Sequence, residues 1–299
     1  MRFLLIIISL VFVPLIAKAQ TSVSTEKEQG QEAEKSDVNT AIIDFSDAKH
    51  TKSGRIDKII DSLTIELKDG TIMRLASIHI PDFHNLENAL YAEQALKVLR
   101  EKLPERTEVM LYQTRDRKKG RINRMGQQLA HLVIKKDKKI WVQEELLKEG
   151  LAYVYTAPNN RLMLDDLYLA EALARKEKKG IWAQDSLYKV ITPEEAENKV
   201  GDFTVIEGTV EKVATVRNNT YLNFGKNWKT DFTIQITPAT RKQFAKQGFN
   251  VLNFAKQKIR VRGYLREYNG PLIELKDTAH FEIISPPRTV EESNGEIEE

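Results

Sequence analysis

Arg74 lies in the middle of an apolar run, with Ile72 and Met73 before it and Leu75 and Ala76 after it. A guanidinium in such a strand costs free energy unless it meets an anion, and its planar fork of donors fits a phosphate well. A strand arginine that snorkels to the surface, or pairs with a structural carboxylate, explains the same residue without any chemistry. Just downstream, His79, Asp82 and His84 crowd one short loop, three possible metal ligands with no fourth beside them. Further along, residues 114–124 (TRDRKKGRINR) form the densest basic cluster in the chain. There Arg115, Arg117, Lys118, Lys119, Arg121 and Arg124 face only Asp116. Each cation placed on a backbone phosphate releases condensed counterions, so the cluster is either a phosphate-contacting surface or a solvated hairpin tip. In the last third, Tyr221, Phe224, Trp228, Tyr264 and Tyr268 interleave with Arg217, Lys226, Arg260, Arg262 and Arg266. That composition suits a groove on which single-stranded bases stack, with Tyr221 and Phe224 as stacking candidates, or a set of aromatic core and rim positions.

The elements that must hold these groups are legible from periodicity. In residues 54–82 (GRIDKIIDSLTIELKDGTIMRLASIHIPD), Leu63, Ile65 and Leu67 alternate with Thr64 and Glu66. Asp69-Gly70 then breaks the run, and a second apolar stretch over 71–80 ends on Pro81, which is a hairpin signature. Strict alternation along 71–80 puts Arg74 and His79 on opposite faces unless a bulge intervenes. Residues 41–45 (AIIDF) read as a short first strand. Residues 90–99 have helical spacing stopped by Pro104, while 107–113 and 128–134 read as strands. Residues 141–152 form an amphipathic helix ending at Gly150, and 162–179 a last helix with Leu167, Ala170 and Ala174 on its core face, followed by Gly180-Ile181-Trp182.

This order of elements resembles the staphylococcal nuclease (thermonuclease-like) family. Ile60-Asp61-Ser62-Leu63-Thr64 stands where the family has Ile-Asp-Gly-Asp-Thr, and residues 74–82 follow its Arg-Leu-x-x-x-Asp-x-Pro-Glu frame. Tyr91 to Ala95, the 141–152 segment and the terminal Gly-Ile-Trp also correspond, so the resemblance spans about 54–184. It implies an α+β fold, mainly β: a closed five-stranded OB-type barrel with packed helices. It also implies phosphodiester cleavage with calcium on two aspartates, arginines on the phosphate and a glutamate activating water. In this chain the first calcium aspartate corresponds to Leu63, the second to His79, the glutamate to Asp82 and the second arginine to Gln127. Arg74 alone is unchanged, with Asp61 and Thr64 beside it. Arg74 and Asp82, with Gln127 at the second arginine position, are therefore the catalytic candidates, and Asp61 and His79 the metal candidates. Arg121, after Gly120, is a substitute for the missing arginine only if the loop is shifted. Calcium takes six to eight oxygen ligands, so a leucine donates nothing and an imidazole offers the wrong atom. Leu63 shares strand parity with Ile65 and Leu67 and is expected to extend the packed face instead.

With 299 residues, 41% hydrophobic and 30% charged, the chain is long enough for two small domains. A net charge of +3 and a pI near 8.7 leave any nucleic-acid argument to local clustering. The absence of cysteine excludes disulfides and thiolate metal sites. Arg2, the apolar run 3–16 and Ala17-Lys18-Ala19 before Gln20 read as a cleaved secretory signal over 1–19, too short to span a bilayer comfortably. The polar stretch 20–40 is expected to be a disordered leader, followed by the thermonuclease-like domain over 41–190. After a linker around Thr192-Pro193, five short strands over 200–285 with a helix at 238–246 between the third and fourth follow the order of a second OB-like domain. Residues 286–299 form an acidic tail.

The expectation is an exported protein, periplasmic or secreted, with no stable membrane span after signal cleavage. Its calcium site is degenerate, and it binds DNA or RNA, single strands preferred, without efficient cleavage. No cofactor is expected, calcium mattering only if nuclease activity persists. The alternatives are a weak phosphodiesterase and a non-catalytic, protein-binding module of the cell envelope whose partner the sequence does not name.

Overall fold

Strand β1 (Ala48–Ile59) is 12 residues long although its first half, AKHTKSG, is too polar to announce a strand. It is held by backbone pairing on two sides: residues 48–55 run antiparallel to β5 (Glu108–Thr114) and residues 56–59 to β2 (Thr64–Leu67). The register slips between His50 and Lys52 and again between Ile56 and Lys58. Such bulges bend a strand, which lets β1 serve two ladders. β2 turns through Asp69-Gly70, where Gly70 has φ 79°, into β3 (Ile72–Leu75). β3 runs parallel to β6 (Gln128–Ile134), and β6 pairs antiparallel with β5, closing the five-stranded barrel β1-β2-β3-β6-β5. The structure, a computed structural model, describes residues 44–81, 86–118, 120–158 and 160–284.

Two expectations for the hairpin region change. The apolar run 71–80 is two strands, because Ser77 takes φ 64° and turns the chain out of the barrel after β3. β4 (Ile78–His79) then pairs with β8 (Tyr153–Val154) in a separate ladder. The strand expected at 41–45 is not found: 41–43 fall outside the described residues, and Phe45 sits in the turn before β1, its ring stacked on Tyr112 at 4.5 Å.

The helices are α1 (Leu86–Lys102), α2 (Val142–Lys148), which follows β7 (Ile140–Trp141), and α3 (Leu164–Lys176). Ala95 and Leu99 of α1, Leu146 and Leu147 of α2, and Leu167 of α3 pack on a core formed by Ile56, Ile65, Leu67, Met73, Val109 and Leu132. α2 ends before Gly150, and α3 runs into the turn that presents Gly180-Ile181-Trp182. Gly150 and Gly180 have φ 65° and 53°, and a Cβ on either would lie 2.3 Å or less from the other segment's carbonyl oxygen. The Ile181 amide donates to the Gly150 carbonyl at 2.8 Å, so this crossing admits only glycine at both places.

A 3-10 helix, Pro193–Lys199, leads into the second barrel, its start closed by a reciprocal Thr192/Glu195 capping box. The strands there are β9 (Phe203–Thr209), β10 (Lys212–Val216), β11 (Asn219–Asn223), β12 (Thr233–Ile236), β13 (Lys258–Tyr264), β14 (Arg266–Glu267), β15 (Pro271–Leu275) and β16 (Phe281–Ile283). Helix α4 (Pro238–Lys246) stands between β12 and β13, capped by Thr237. One sheet has the order β10-β11-β12-β15-β14 and the other β16-β13-β9, with β12 and β15 parallel. β10, β14 and β16 were not expected; β10 is a half-exposed continuation of β9 after a break at Val210-Glu211.

The two barrels, within the described residues 44–284, belong to one compact unit, and their contact is charged at its centre. Arg262 of β13 and Glu171 of α3, both fully buried, pair through two bonds of 2.6 and 2.9 Å. Arg262 also donates to the Val154 carbonyl at 3.1 Å and to Glu282 at 2.6 Å, and lies over the Tyr168 ring at 4.7 Å. Glu171 in turn accepts the Val154 amide at 2.7 Å and Arg175 at 2.8 Å. Burial works against the Arg262 charge, but Glu171 and Glu282 outweigh it and its pKa is raised. Around this pair, Tyr168 donates its hydroxyl to Ala279, Thr156 its amide to His280, and Arg161 pairs with Asp277. Among the described residues no helix is long and apolar enough to cross a membrane.

Candidate functional site

The turn between β1 and β2 organises the first group of candidates. Asp61 accepts the Leu63 amide on Oδ1 at 2.7 Å, and its own backbone exchanges bonds with Thr64 at 3.2 and 3.3 Å. This is an Asx turn, in which the carboxylate stands in for a backbone acceptor. It delivers Leu63 into the barrel core, 4% exposed beside Ile65 and Leu67, as its strand parity requires. Thr64 faces Arg74 across the β2–β3 ladder and accepts from the Arg74 Nη1 at 3.2 Å. Arg74 is half-buried, with Leu129 as its neighbour on β6. Among the described residues its fork makes one side-chain hydrogen bond, the one to Thr64.

Gln127 and His79 are turned to structural work. Asn123 Oδ1 accepts the amides of Met125 and Gln127, and Asn123 Nδ2 donates to the Gln127 side-chain oxygen at 2.7 Å. Gln127 therefore closes the tight turn at Gly126 instead of supplying a cation. His79, carried off the barrel by the turn at Ser77, packs its ring on Phe203 at 4.4 Å, with Tyr264, Tyr155 and Tyr153 around it at 5.9 to 6.3 Å. Two of those rings belong to the second barrel, so His79 lies in the contact between barrels, and Arg74 and His79 occupy different ladders. Asp82 and His84 lie outside the described residues, and among the described residues no three His, Asp or Glu side chains converge as a metal site.

The basic loop joins β5 to β6 and splits its cations into two kinds. Arg121 donates through Nε to the Thr114 carbonyl at 2.7 Å and through Nη2 to the Arg115 carbonyl at 2.8 Å, while buried Gln113 donates to the Arg121 and Leu129 carbonyls. That staple corrects the idea of Arg121 as a substitute phosphate ligand reaching the barrel mouth: its guanidinium is folded back on its own loop. Arg115 ties the loop to the Ser46 carbonyl at 2.7 Å. Arg117, Lys118 and Arg124 are exposed, next to Ile122 and Met125, the latter 79% exposed. Lys119 lies outside the described residues.

The aromatic and arginine series of the second barrel also divides. Phe224 is buried in the core against Phe232 at 5.0 Å, so it has no face to offer a base. Its position follows from period two: Leu222 and Phe224 point inward, while Tyr221, just before Leu222, is half-exposed on the outer face. Arg262 is consumed by the contact between barrels, and Arg260 pairs with Glu207 at 2.5 Å and Glu282 at 3.0 Å. Trp228 is exposed with Lys229 over its ring at 5.7 Å. Tyr221, Tyr268, Arg217 and Arg266 line one surface cleft, together with Asn219 and Gln235, which sequence reasoning did not single out. Their outward strand parity was a signal that pointed to them.

Residues 72–184, just over a third of the chain, match the family model described as staphylococcal nuclease homologue. The match begins at β3 and ends just past Gly180-Ile181-Trp182. No curated protein matches the chain.

Proposed function

We propose, from the premise that residues 72–184 form a staphylococcal-nuclease-type domain, that the protein binds nucleic acid and does not hydrolyse it efficiently. The observation that carries this reading is the burial of Leu63 in the barrel core, at the position the resemblance gives to a calcium carboxylate. A hard cation needs oxygen there, and the core supplies hydrocarbon. Asp61 and Gln127 are used in turns, and His79 in ring packing. Arg117, Lys118 and Arg124, exposed on a loop braced by Arg115 and Arg121, supply the phosphate-contacting charge.

The test measures both halves of the reading on the mature chain. Labelled single-stranded DNA and RNA should bind with affinity that falls as salt rises, and neutralising Arg117, Lys118 and Arg124 to glutamine should flatten the log–log salt slope by about 2. Calcium should support negligible cleavage. Rapid calcium-dependent turnover abolished by Arg74→Ala would establish the second reading, a residual phosphodiesterase, which the half-buried but retained Arg74 beside Thr64 favours. Failure to bind either nucleic acid at low salt would leave the envelope-module reading.

The second barrel we take as an OB-type module. Its support is the strand order, β9 and β10, then β11, β12, a helix, β13 and β14, then β15, with the third and fifth strands parallel. The N-terminal Arg2, apolar 3–16 and Ala17-Lys18-Ala19 support export. The intact mass of the protein from the exporting cell should correspond to a chain beginning at Gln20, and a mass retaining residues 1–19 would refute cleavage at that place.

A further inference from the structure

We infer that the cleft on the outer face of the second barrel is a single-stranded nucleic-acid site that stacks a base on Tyr221 and Tyr268 and holds its flanking phosphates with Arg217 and Arg266. The cleft has a volume of about 420 Å³, within the range of small-ligand sites. Two tight turns build its walls. Arg217 and Asn218, with φ 47° and 73°, reverse the chain between β10 and β11, and Asn269 and Gly270, with φ 51° and 81°, do so between β14 and β15. Paired left-handed residues match the twist of a hairpin and hold it in one geometry. Gly270 further presses against residue 230, where an added Cβ would meet the carbonyl oxygen at 2.5 Å. The floor is the sheet, with Tyr221 opposite Gln235 in the β11–β12 ladder. The site is therefore preorganised, which lowers the ordering cost of binding.

The chemistry of the lining selects the occupant. Two phenol rings on an exposed surface offer flat faces of the kind bases stack on, whatever their sequence. Arg217 is exposed, and Arg266 donates to Glu274 at 2.7 Å through Nη2, so both guanidinium groups keep donors for an anion; with Glu267 also in the lining, the cleft sets two guanidinium groups against one carboxylate. The Asn219 and Gln235 amides each carry a donor and an acceptor, suited to a base edge. A neutral sugar leaves both arginines without an anion, and an acidic peptide leaves the ring faces without a flat partner. This inference rests on the nucleic-acid reading above and adds to it the second barrel as the place where bases are held.

Binding of oligothymidine and oligouridine to the mature chain, with 2-aminopurine placed in the strand to report stacking, tests it. Tyr221→Ala with Tyr268→Ala should weaken binding tenfold or more, abolish the 2-aminopurine quenching and leave the salt slope unchanged, while Tyr221→Phe with Tyr268→Phe should bind as the parent does. Arg217→Gln with Arg266→Gln should flatten the salt slope by about 1.4. If both cleft variants, folded by circular dichroism, bind like the parent while the Arg117, Lys118 and Arg124 variant does not, the cleft assignment fails and the nucleic-acid reading stands. If the parent binds no oligonucleotide at low salt, the reading itself fails. Binding of a sulfated oligosaccharide by the parent, lost in the Arg217→Gln with Arg266→Gln variant, without any oligonucleotide binding would overturn the assignment in favour of a glycan.

Discussion

Glu171→Gln should cost about 3–5 kcal/mol of stability and loosen the second barrel from the first, seen as a lowered urea midpoint and new proteolytic sites in residues 203–284. Removing one member of a buried ion pair leaves the other charge without its partner in a site that excludes water, a cost of that size. Here the stranded group is Arg262, whose side chain and that of Glu171 are both 0% exposed. Nε of Arg262 already has no hydrogen-bond partner among the described residues, so the two bonds to Glu171 carry much of its compensation. Glu171 is also the acceptor for the Val154 amide and for Arg175, which spreads the loss to β8 and along α3. Burial raises the Glu282 pKa, but Arg262, Arg260 and Arg175 together hold it below the usual carboxylate range, and Glu282 alone cannot replace Glu171 at 2.6 Å from a single Nη.

The matching double change separates charge burial from packing. Glu171→Leu with Arg262→Met removes both charges at similar volume, and such replacements are often neutral or stabilising. The double variant should therefore recover most of the single variant's loss. A cost below about 1 kcal/mol for Glu171→Gln, or a double variant worse than the sum of the singles, would show that the pair does not govern the contact.

Much of the first barrel could be read from the sequence because its strands carry their own period. Residues 128–134 are β6 to the residue, and the Asp69-Gly70 turn and the helix ends near Gly150 follow from local chemistry. β1 was not legible as a strand, since its first residues are polar and gain their strand from the β5 backbone beside them, and the first strand was expected at 41–45 instead. The run 71–80 concealed its break because Ser77 takes a left-handed conformation that serine seldom adopts. Arg260 and Arg262 looked like a basic strand for phosphates, and their partners lie far away in the chain: 91 residues separate Arg262 from Glu171. One signal for that pair was available. Glu171 follows Leu167 by one helical turn, on the same face as Ala170 and Ala174, and a carboxylate on an apolar face calls for a buried cation. His79 was harder, because the rings that surround it come from three separate segments.

Between pH 6.5 and 4.5 the protein should lose about 5 kcal/mol of stability, a third or more of what an ordinary domain possesses. Two buried histidines set this window. His131 on β6 stands across from Tyr112, 1% exposed, with its ring edge-on to Trp141 at 5.4 Å, and burial lowers its pKa to about 3. Neither ring nitrogen has a partner among the described residues that would support a charge. His280 stacks on Tyr155 at 4.3 Å and accepts the Thr156 amide on Nε2 at 3.1 Å, which it can do only while that nitrogen is unprotonated. Burial first, and the Arg262 charge second, lower its pKa to about 4, against the opposing pull of Asp277. Both rings stay neutral in the folded chain and titrate near 6.5 in the unfolded one. As the pH falls below 6.5 the unfolded chain binds protons the folded chain refuses, so stability is full above that value and declines until the folded pKa is reached. Each group contributes about 1.4 kcal/mol per pH unit over that interval. The carboxylates whose pKa is lowered, such as Asp69 at about 2, act only below their unfolded values, so the upper window belongs to the histidines. Urea midpoints measured across the window should fall steadily, and His131→Leu should roughly halve the slope. A stability that stays flat from pH 7 to 5, or a slope indifferent to His131→Leu, would mean that these rings gain protons without leaving the folded state.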